Sequence, residues 1–158
     1  MTGCALPVRV VPVAGEDMAR LVGDLLSSRL TPQLVARGGS MSPWIRDGDV
    51  LTLAPLARDA HACGLRRGDV VAFRHPVSGR LIVHRLVARS GDAWIACGDR
   101  CAVPDGIVGI DDVLGTVRAI ARRGHAVPLP GGAVGLALVG IGRVVLGLRD
   151  RFRTASPL

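Results

Sequence analysis

Apolar and polar positions near the start of the chain repeat with helical spacing. The apolar side chains recur every three or four residues, at Met18, Leu21, Val22, Leu25 and Leu26. Glu16 and Asp17 come just before them, where the helix dipole favours negative charge. The pattern predicts an amphipathic helix from Glu16 to Leu30 that ends near Pro32. Its apolar face is expected to pack on the rest of the fold rather than lie on a membrane.

From residue 34 to residue 120 the pattern changes to short strands and turns. β-Branched apolar runs alternate with turns rich in Gly and Asp, in RDGDVLTLAP, RRGDVVAFRHP, GRLIVHRLVAR, GDAWIACGD and DDVLGTVRAIA. The Pro76 to Gly79 turn predicts a hairpin. In the strand after it, one face carries Leu81, Val83 and Arg85, and the other carries Ile82, His84 and Leu86. The fold is therefore predicted to be mainly β.

The C-terminal part, residues 126–158, is predicted to be an apolar helix. Residues 126–148 carry one charge, Arg143, and about 20 apolar residues suffice to cross a membrane. Pro128 and Pro130, with several glycines, oppose a regular spanning helix. Three arrangements stay open, namely a weak membrane anchor, a helix lying on the membrane surface and a helix that caps the domain.

A length of 158 residues favours a single domain. Its predicted parts are an N-terminal strand and amphipathic helix at 1–33, a β domain at 34–125 and the apolar tail at 126–158. The first 15 residues lack a basic leader and are interrupted by Arg9 and two prolines, so no secretory signal is predicted. The expected location is membrane-associated, through a weak C-terminal anchor or an interfacial helix, and otherwise cytoplasmic.

The net charge of +7 comes from arginine alone, because the chain contains no lysine. Such a charge attracts nucleic acid or anionic lipid headgroups. Aromatic residues make up only 3% of the chain, so stacking platforms for single strands are scarce. Nucleic acid is therefore disfavoured as a partner, whereas a membrane surface is left open.

The cysteines indicate neither a disulfide scaffold nor a metal site. Cys4, Cys63, Cys97 and Cys101 form no CxxC pair, and their spacing fits no common zinc pattern. We expect buried thiols, with no bound metal and no cofactor, and the redox state stays open.

One serine has the surroundings that a nucleophile needs. In GGSMSPWI, Ser40 follows Gly38 and Gly39 at the end of an apparent strand, LVAR. Glycine lets the backbone approach a substrate closely, and amides after a tight turn can face a developing oxyanion. The competing interpretation is an ordinary turn serine.

A serine nucleophile needs a base, and the absence of lysine excludes a Ser–Lys dyad. Of the four histidines, only His84 lies in a strongly apolar strand, where its imidazole would stay neutral and could accept a proton. A carboxylate on the far nitrogen would fix its tautomer, and CGDRCAVPDG offers Asp99 and Asp105. The alternatives are a core histidine and two turn aspartates.

Taken together, these segments resemble the signal peptidase I family, which is distantly related to LexA-like self-cleaving repressors. GGSMSPWIRDGDVLTL, RRGDVVAFRHP, RLIVHRLVA, CGDRCAVPD and VLGTV occur in the family's order, over residues 34–120. The chain is similar to the endoplasmic-reticulum and archaeal type, which uses serine with histidine and aspartate, rather than to the bacterial Ser–Lys type.

The resemblance implies a signal-peptidase-like β domain in which Ser40 is the nucleophile and His84 the base. Asp105 falls on the usual triad position, while Asp99 supports the loop. Gly39, Met41 and Pro43 lie around the oxyanion and substrate site, together with Ser40. The implied substrate is an extended stretch of a precursor protein or peptide, which pairs with a strand beside the site and has small residues near the cut.

The chain departs from the family pattern at three points. Gly38 replaces a serine that often helps the oxyanion hole, and Arg100 and Cys101 replace the asparagines that commonly follow Gly-Asp. The N-terminal membrane anchor of the family is not seen either.

The predicted function is a serine endopeptidase that removes a leader or signal segment. The alternatives are a basic β module without catalysis, which binds a membrane surface or nucleic acid, and a self-cleaving LexA-like regulator. The missing lysine and the single N-terminal helix disfavour the regulator.

Overall fold

The structure, a computed structural model, describes residues 15–56 and 64–140. Its elements are α1 (Gly15–Ser27), β1 (Gln33–Val35), β2 (Val50–Pro55), β3 (Val70–Arg74), β4 (Leu81–Ser90), β5 (Ala93–Cys97), β6 (Gly106–Val108), a 3-10 turn (Ile110–Asp112), β7 (Val113–Arg122), β8 (His125–Val127) and a helical segment, α2, at 132–140. The strands form one antiparallel sheet in the order β1-β2-β7-β3-β4-β5-β6, with β8 beside β7. The prediction of a mainly β fold is confirmed.

The five strand segments read from the sequence become β2, β3, β4, β5 and β7. The predicted hairpin joins β3 to β4, where the amide of His75 donates to the carbonyl of Arg80. Alternation along β4 is as expected. Leu81 and Val83 pack toward α1, whereas Ile82 and Leu86 pack in the cluster around Phe73 and Trp94.

Two equivalent Gly-Asp turns start β2 and β3. Oδ2 of Asp49 accepts a hydrogen bond from the amide of Arg46, and Oδ2 of Asp69 accepts one from Arg66, both at 2.8 Å. The glycine before each aspartate has a positive φ, of 85° and 98°, which favours glycine. The recurrence of the DGDV and RGDV sequences is therefore a recurrence of turn chemistry.

Helix α1 covers one face of the sheet, as its apolar stripe predicts. Val22 and Leu26 are buried in a cluster with Leu53 of β2, while Leu21 is 44% exposed and does not belong to the buried face. The helix ends at Ser27 rather than near Pro32. It ends in a Schellman-type turn in which Arg29, at φ 62°, takes the left-handed conformation usual for glycine.

The C-terminal prediction needs correction. Residues 125–127 form β8, which pairs with the end of β7, so the tail does not begin as a helix. The helical segment α2 starts at residue 132, after Pro128 and Pro130. Among the described residues, no helix is both long and apolar enough to cross a membrane. The predicted N-terminal strand before residue 15, and the tail beyond residue 140, lie outside the described residues.

Candidate active site

Ser40 lies on a turn between β1 and β2 that is anchored to the core. Beyond β1, the amide of Ala36 bonds to the carbonyl of Asp49, and the amide of Gly38 bonds to Oδ1 of Asp47 at 2.9 Å. Gly38 has φ 85°, which accounts for a glycine at this point. Next to Ser40, the side chain of Met41 is buried in the core. The serine is thereby held at the surface by a fixed backbone.

His84 lies in the middle of β4, opposite Val71 of β3, and is only 7% exposed. Its Nε2 is 2.8 Å from Oγ of Ser40, and its Nδ1 is 2.5 Å from Oδ2 of Asp105. When Nδ1 carries the proton and donates it to the carboxylate, Nε2 is left as an acceptor for the serine hydroxyl. This arrangement suits general-base activation of Ser40.

Asp105 is positioned by the backbone between β5 and β6. Its amide donates to the carbonyl of Ala96 at 2.9 Å, at the point where the two strands begin to pair. The carboxylate is about four-fifths buried. It can therefore orient His84 and stabilise the imidazolium that forms when the serine loses its proton.

Asp99 lies elsewhere and pairs with Arg85. The two side chains form parallel hydrogen bonds of 2.8 and 2.9 Å, and both are almost fully buried. Nη1 of Arg85 also donates to the carbonyls of Gly68 and Pro130. Of the two aspartates in the loop, Asp105 is thus the one that contacts His84, while Asp99 fixes the loop to β4 and to the segment before α2.

The loop that carries Asp99 also packs against the serine and histidine. The amide of Arg100 donates to the carbonyl of Ser40 at 2.8 Å. A Cβ added at Gly98 would stand 2.8 Å from that carbonyl and 3.0 Å from Nε2 of His84. Gly98 is a site residue that the sequence analysis missed, although the Gly-Asp pair was noted. Because Arg100 contributes a backbone group, a side chain other than asparagine is compatible with this contact.

The backbone around Ser40 offers donors for an oxyanion. The amide of Gly38 is already bonded to Asp47, but the amides of Ser40 and Met41 donate no hydrogen bond to the described residues. Amides placed beside a nucleophile can stabilise the negative charge of a tetrahedral intermediate. Gly39 and Pro43 act differently, since each accepts a hydrogen bond within the turn, from Ser42 and Arg46 respectively.

A cleft of about 340 Å³ opens beside Ser40 and His84. One wall is the segment from β1 to the serine, and the other is the first half of β4. Its apolar lining is formed by Met18, Leu34, Val35, Ala36, Met41, Ile45, Leu51, Leu81, Ile82 and Val83. The cleft is thus apolar along most of its length, with Ser40 and His84 among its lining residues.

The β4 wall presents free backbone groups to the cleft. The carbonyl of Arg80 and the amide of Leu86 form hydrogen bonds toward β3. In an antiparallel pair these bonds alternate, so the backbone amides and carbonyls of the even-numbered residues of β4 face β3. Leu81 and Val83 therefore turn their amides and carbonyls to the opposite side, where β5 pairs with β4 only from Arg85 onward. A peptide strand can pair with such an edge.

The turn that carries Ser40 is supported by a second ion pair. Arg122 donates to both carboxylate oxygens of Asp49 at 2.8 Å and to the carbonyl of Trp44. The hydrogen bonds from Arg122 to the carboxylate are the largest cause of a pKa of Asp49 below its ordinary value of 3.8. Burial acts in the opposite sense, and the hydrogen bond from the Arg46 amide lowers the pKa further. The pair ties β7 to both ends of the turn after Ser40.

The cysteines make no metal centre in the described part of the chain. Cys97 is buried, and its thiol lies near the carbonyls of Gly98, Cys101 and Val103. Within residues 15–56 and 64–140, no three Cys, His, Asp or Glu side chains are grouped to hold a metal ion. Cys4 and Cys63 lie outside the described residues.

Comparison with known proteins adds no assignment. No protein-family model matches the chain, and the search of curated proteins finds no similar sequence.

Proposed function

We propose that this chain is a serine endopeptidase of the signal-peptidase type, which removes a leader or signal segment from a precursor protein or peptide. The observation that carries the proposal is the hydrogen-bonded series Ser40, His84 and Asp105 at the end of an open apolar cleft. The order of the sequence motifs over residues 34–120, which resembles the signal peptidase I family, supports the same assignment.

The proposed reaction has two stages. Oγ of Ser40 attacks the peptide carbonyl while Nε2 of His84 takes its proton, and the amides of Ser40 and Met41 stabilise the oxyanion. The intermediate collapses as His84 returns the proton to the leaving amine, which leaves an acyl ester on Ser40. Water, deprotonated by His84, then attacks the ester and releases the acid, and Oγ recovers its proton.

The substrate in this proposal lies in the cleft as an extended strand. It pairs with the free amides and carbonyls of Leu81 and Val83 and places small side chains near the cut. Pairing through the backbone holds the scissile carbonyl close to Ser40 and leaves selectivity to the side chains that enter the cleft.

We also propose contact with a membrane surface through the C-terminal part. In the described portion of that part, α2 exposes Val134 at 65% and Leu138 at 40%, and the positive net charge would attract anionic lipid. Flotation with anionic liposomes should recover the chain with the lipid, and Val134→Asp with Leu138→Asp should reduce that recovery. Equal recovery of both forms would remove this surface from the proposal.

Peptide cleavage tests the endopeptidase assignment. The wild-type chain is incubated with a mixture of unstructured peptides, and new termini are read by mass spectrometry. Cleavage should disappear with Ser40→Ala and persist with Ser42→Ala, a matched change two residues away in the same turn. Cleavage that survives Ser40→Ala would contradict the assignment of the nucleophile.

A further inference from the structure

The cleft beside Ser40 carries charge of one sign. Two of its lining residues are arginines, Arg37 before the serine and Arg80 just before β4, and none of the described lining residues is Asp or Glu. Both arginines are exposed. Neither forms a hydrogen bond or an ion pair with its side chain within residues 15–56 and 64–140. Two guanidinium groups are therefore available to whatever occupies the cleft.

The stem of Arg80 lies against the start of α1. A Cβ added at Gly15 would stand 3.0 Å from Nε and 3.1 Å from Cγ of Arg80, so the arginine stem lies directly against the helix terminus. Glu16 does not pair with Arg80, and its side chain lies over Gly79 instead. Packing of the stem lowers the entropy that Arg80 would lose on binding a carboxylate.

Each arginine precedes, in the chain, the reacting residue on its own wall of the cleft. Arg80, the residue just before β4, precedes His84 by four residues, which corresponds to about 13 Å along an extended strand. Arg37 precedes Ser40 by three residues on the opposite wall. A peptide paired with β4 would place a side chain about four residues from the cut near Arg80, in the cleft that Arg37 also lines.

We infer that Arg37 and Arg80 make the cleft selective for peptides with an acidic side chain about four residues from the cleaved bond. The inference rests on the proposed endopeptidase function and names a substrate class for that site. Apolar lining residues accept the rest of the strand, while a carboxylate replaces water around the two guanidinium groups.

Internally quenched peptides provide the test. A host sequence of alanine and valine carries Asp, or its neutral isostere Asn, at each position in turn on both sides of the cut. The wild-type chain should cleave the Asp peptide about fivefold faster, in kcat/KM, at positions near four residues from the bond, a size that two exposed ion pairs can supply. The advantage should shrink as salt is raised.

Charge reversal assigns the effect to the two residues. Arg37→Glu with Arg80→Glu should abolish the Asp advantage and favour a Lys peptide at the same position. Arg118→Glu is the matched control, because Arg118 is an exposed arginine of β7 that does not line this cleft. It changes the net charge in the same direction and should keep the Asp advantage.

Labelling by a small fluorophosphonate, which does not extend along the cleft, separates the two claims. Normal labelling with equal cleavage of Asp and Asn peptides at every position would overturn the inference and leave the endopeptidase standing. Retention of the Asp advantage in the double variant would overturn it as well. Absence of labelling, or labelling without cleavage of any peptide, would overturn the proposed function and the inference with it.

Discussion

Gly98 lies so close to His84 that a Cβ at residue 98 would stand 3.0 Å from Nε2, the atom that faces Ser40. The same Cβ would be 2.8 Å from the carbonyl of Ser40, which is backbone and cannot move aside cheaply. The loop after β5 therefore packs tightly against both Ser40 and His84, although it supplies no side chain to the contact between them.

The first prediction concerns this glycine. Gly98→Ala should lower kcat/KM by about 100-fold, because a misplacement of about 1 Å between reacting groups has that effect. Gly131→Ala is the control, since a Cβ there meets nothing within 4 Å and Gly131 has no positive φ. Steady-state kinetics measures kcat/KM for both variants, and melting curves establish that each is folded. Full activity of a folded Gly98→Ala would contradict the described packing.

The second prediction concerns Asp105. Asp105→Asn should lower kcat by about 10³-fold or more, because an amide no longer favours the tautomer of His84 that accepts the serine proton. The melting temperature should change little, since the carboxylate is partly exposed and pairs with His84, unlike Asp99, which pairs with a fully buried arginine. The control is Asp92→Asn in the exposed turn before β5, which should leave kcat unchanged.

The third prediction assigns a different consequence to Asp99. Asp99→Ala should lower the free energy of unfolding by about 3 kcal/mol or more, because it leaves the buried guanidinium of Arg85 without its carboxylate. Denaturant unfolding measures this change. A variant as stable as the wild type would show that the pair with Arg85 does not hold the loop.

The fourth prediction is a pH dependence of stability. Hydrogen bonds from Arg122 lower the pKa of Asp49 in the folded chain below its ordinary value of 3.8, so the ionised form favours folding. This contribution is fully present above the unfolded pKa and is lost as the pH falls through the folded pKa. Asp49→Asn should therefore destabilise the chain at neutral pH, and the difference should shrink below about pH 4.

Thermal melts of wild type and Asp49→Asn across that range test the sign. A difference in melting temperature that grows on acidification would contradict it. Asp47→Asn is less suitable as a control, because Asp47 accepts the hydrogen bond from Gly38 beside the nucleophile. Asp111→Asn, an exposed change in the 3-10 turn, is the better choice.

Much of the fold could be predicted from the sequence, because the strongest signals in the sequence are local. The alternation along β4 predicted which face Leu81 and Ile82 would take, and the Pro76 to Gly79 turn predicted the hairpin. Strands β6 and β8 have only three residues each, too few to show a period of two, and were missed. β1 is equally short but was indicated by the apolar pair in LVAR before the glycine-rich turn. Ala126 and Val127 of β8 were instead included in the apolar tail, where hydrophobicity alone does not separate a strand from a helix.

The candidate site could be predicted from the sequence only in part. Ser40 and His84 stood out through a glycine-rich turn and an apolar strand, but the local sequence alone does not say which aspartate faces the histidine. That choice depends on Arg85 of β4, whose side chain pairs with Asp99 in the loop that follows the neighbouring strand β5. The closeness of Gly98 to Ser40 likewise depends on how two distant loops meet.

The most direct test of the central claim is covalent labelling of Ser40 by a serine-directed acylating probe, read by intact mass. A Ser40–His84–Asp105 triad predicts one adduct on the wild type, none on Ser40→Ala, and much slower labelling of His84→Ala and Asp105→Asn. A well-folded wild type that forms no adduct across several probes and pH values would contradict the triad, as would an adduct that persists on Ser40→Ala.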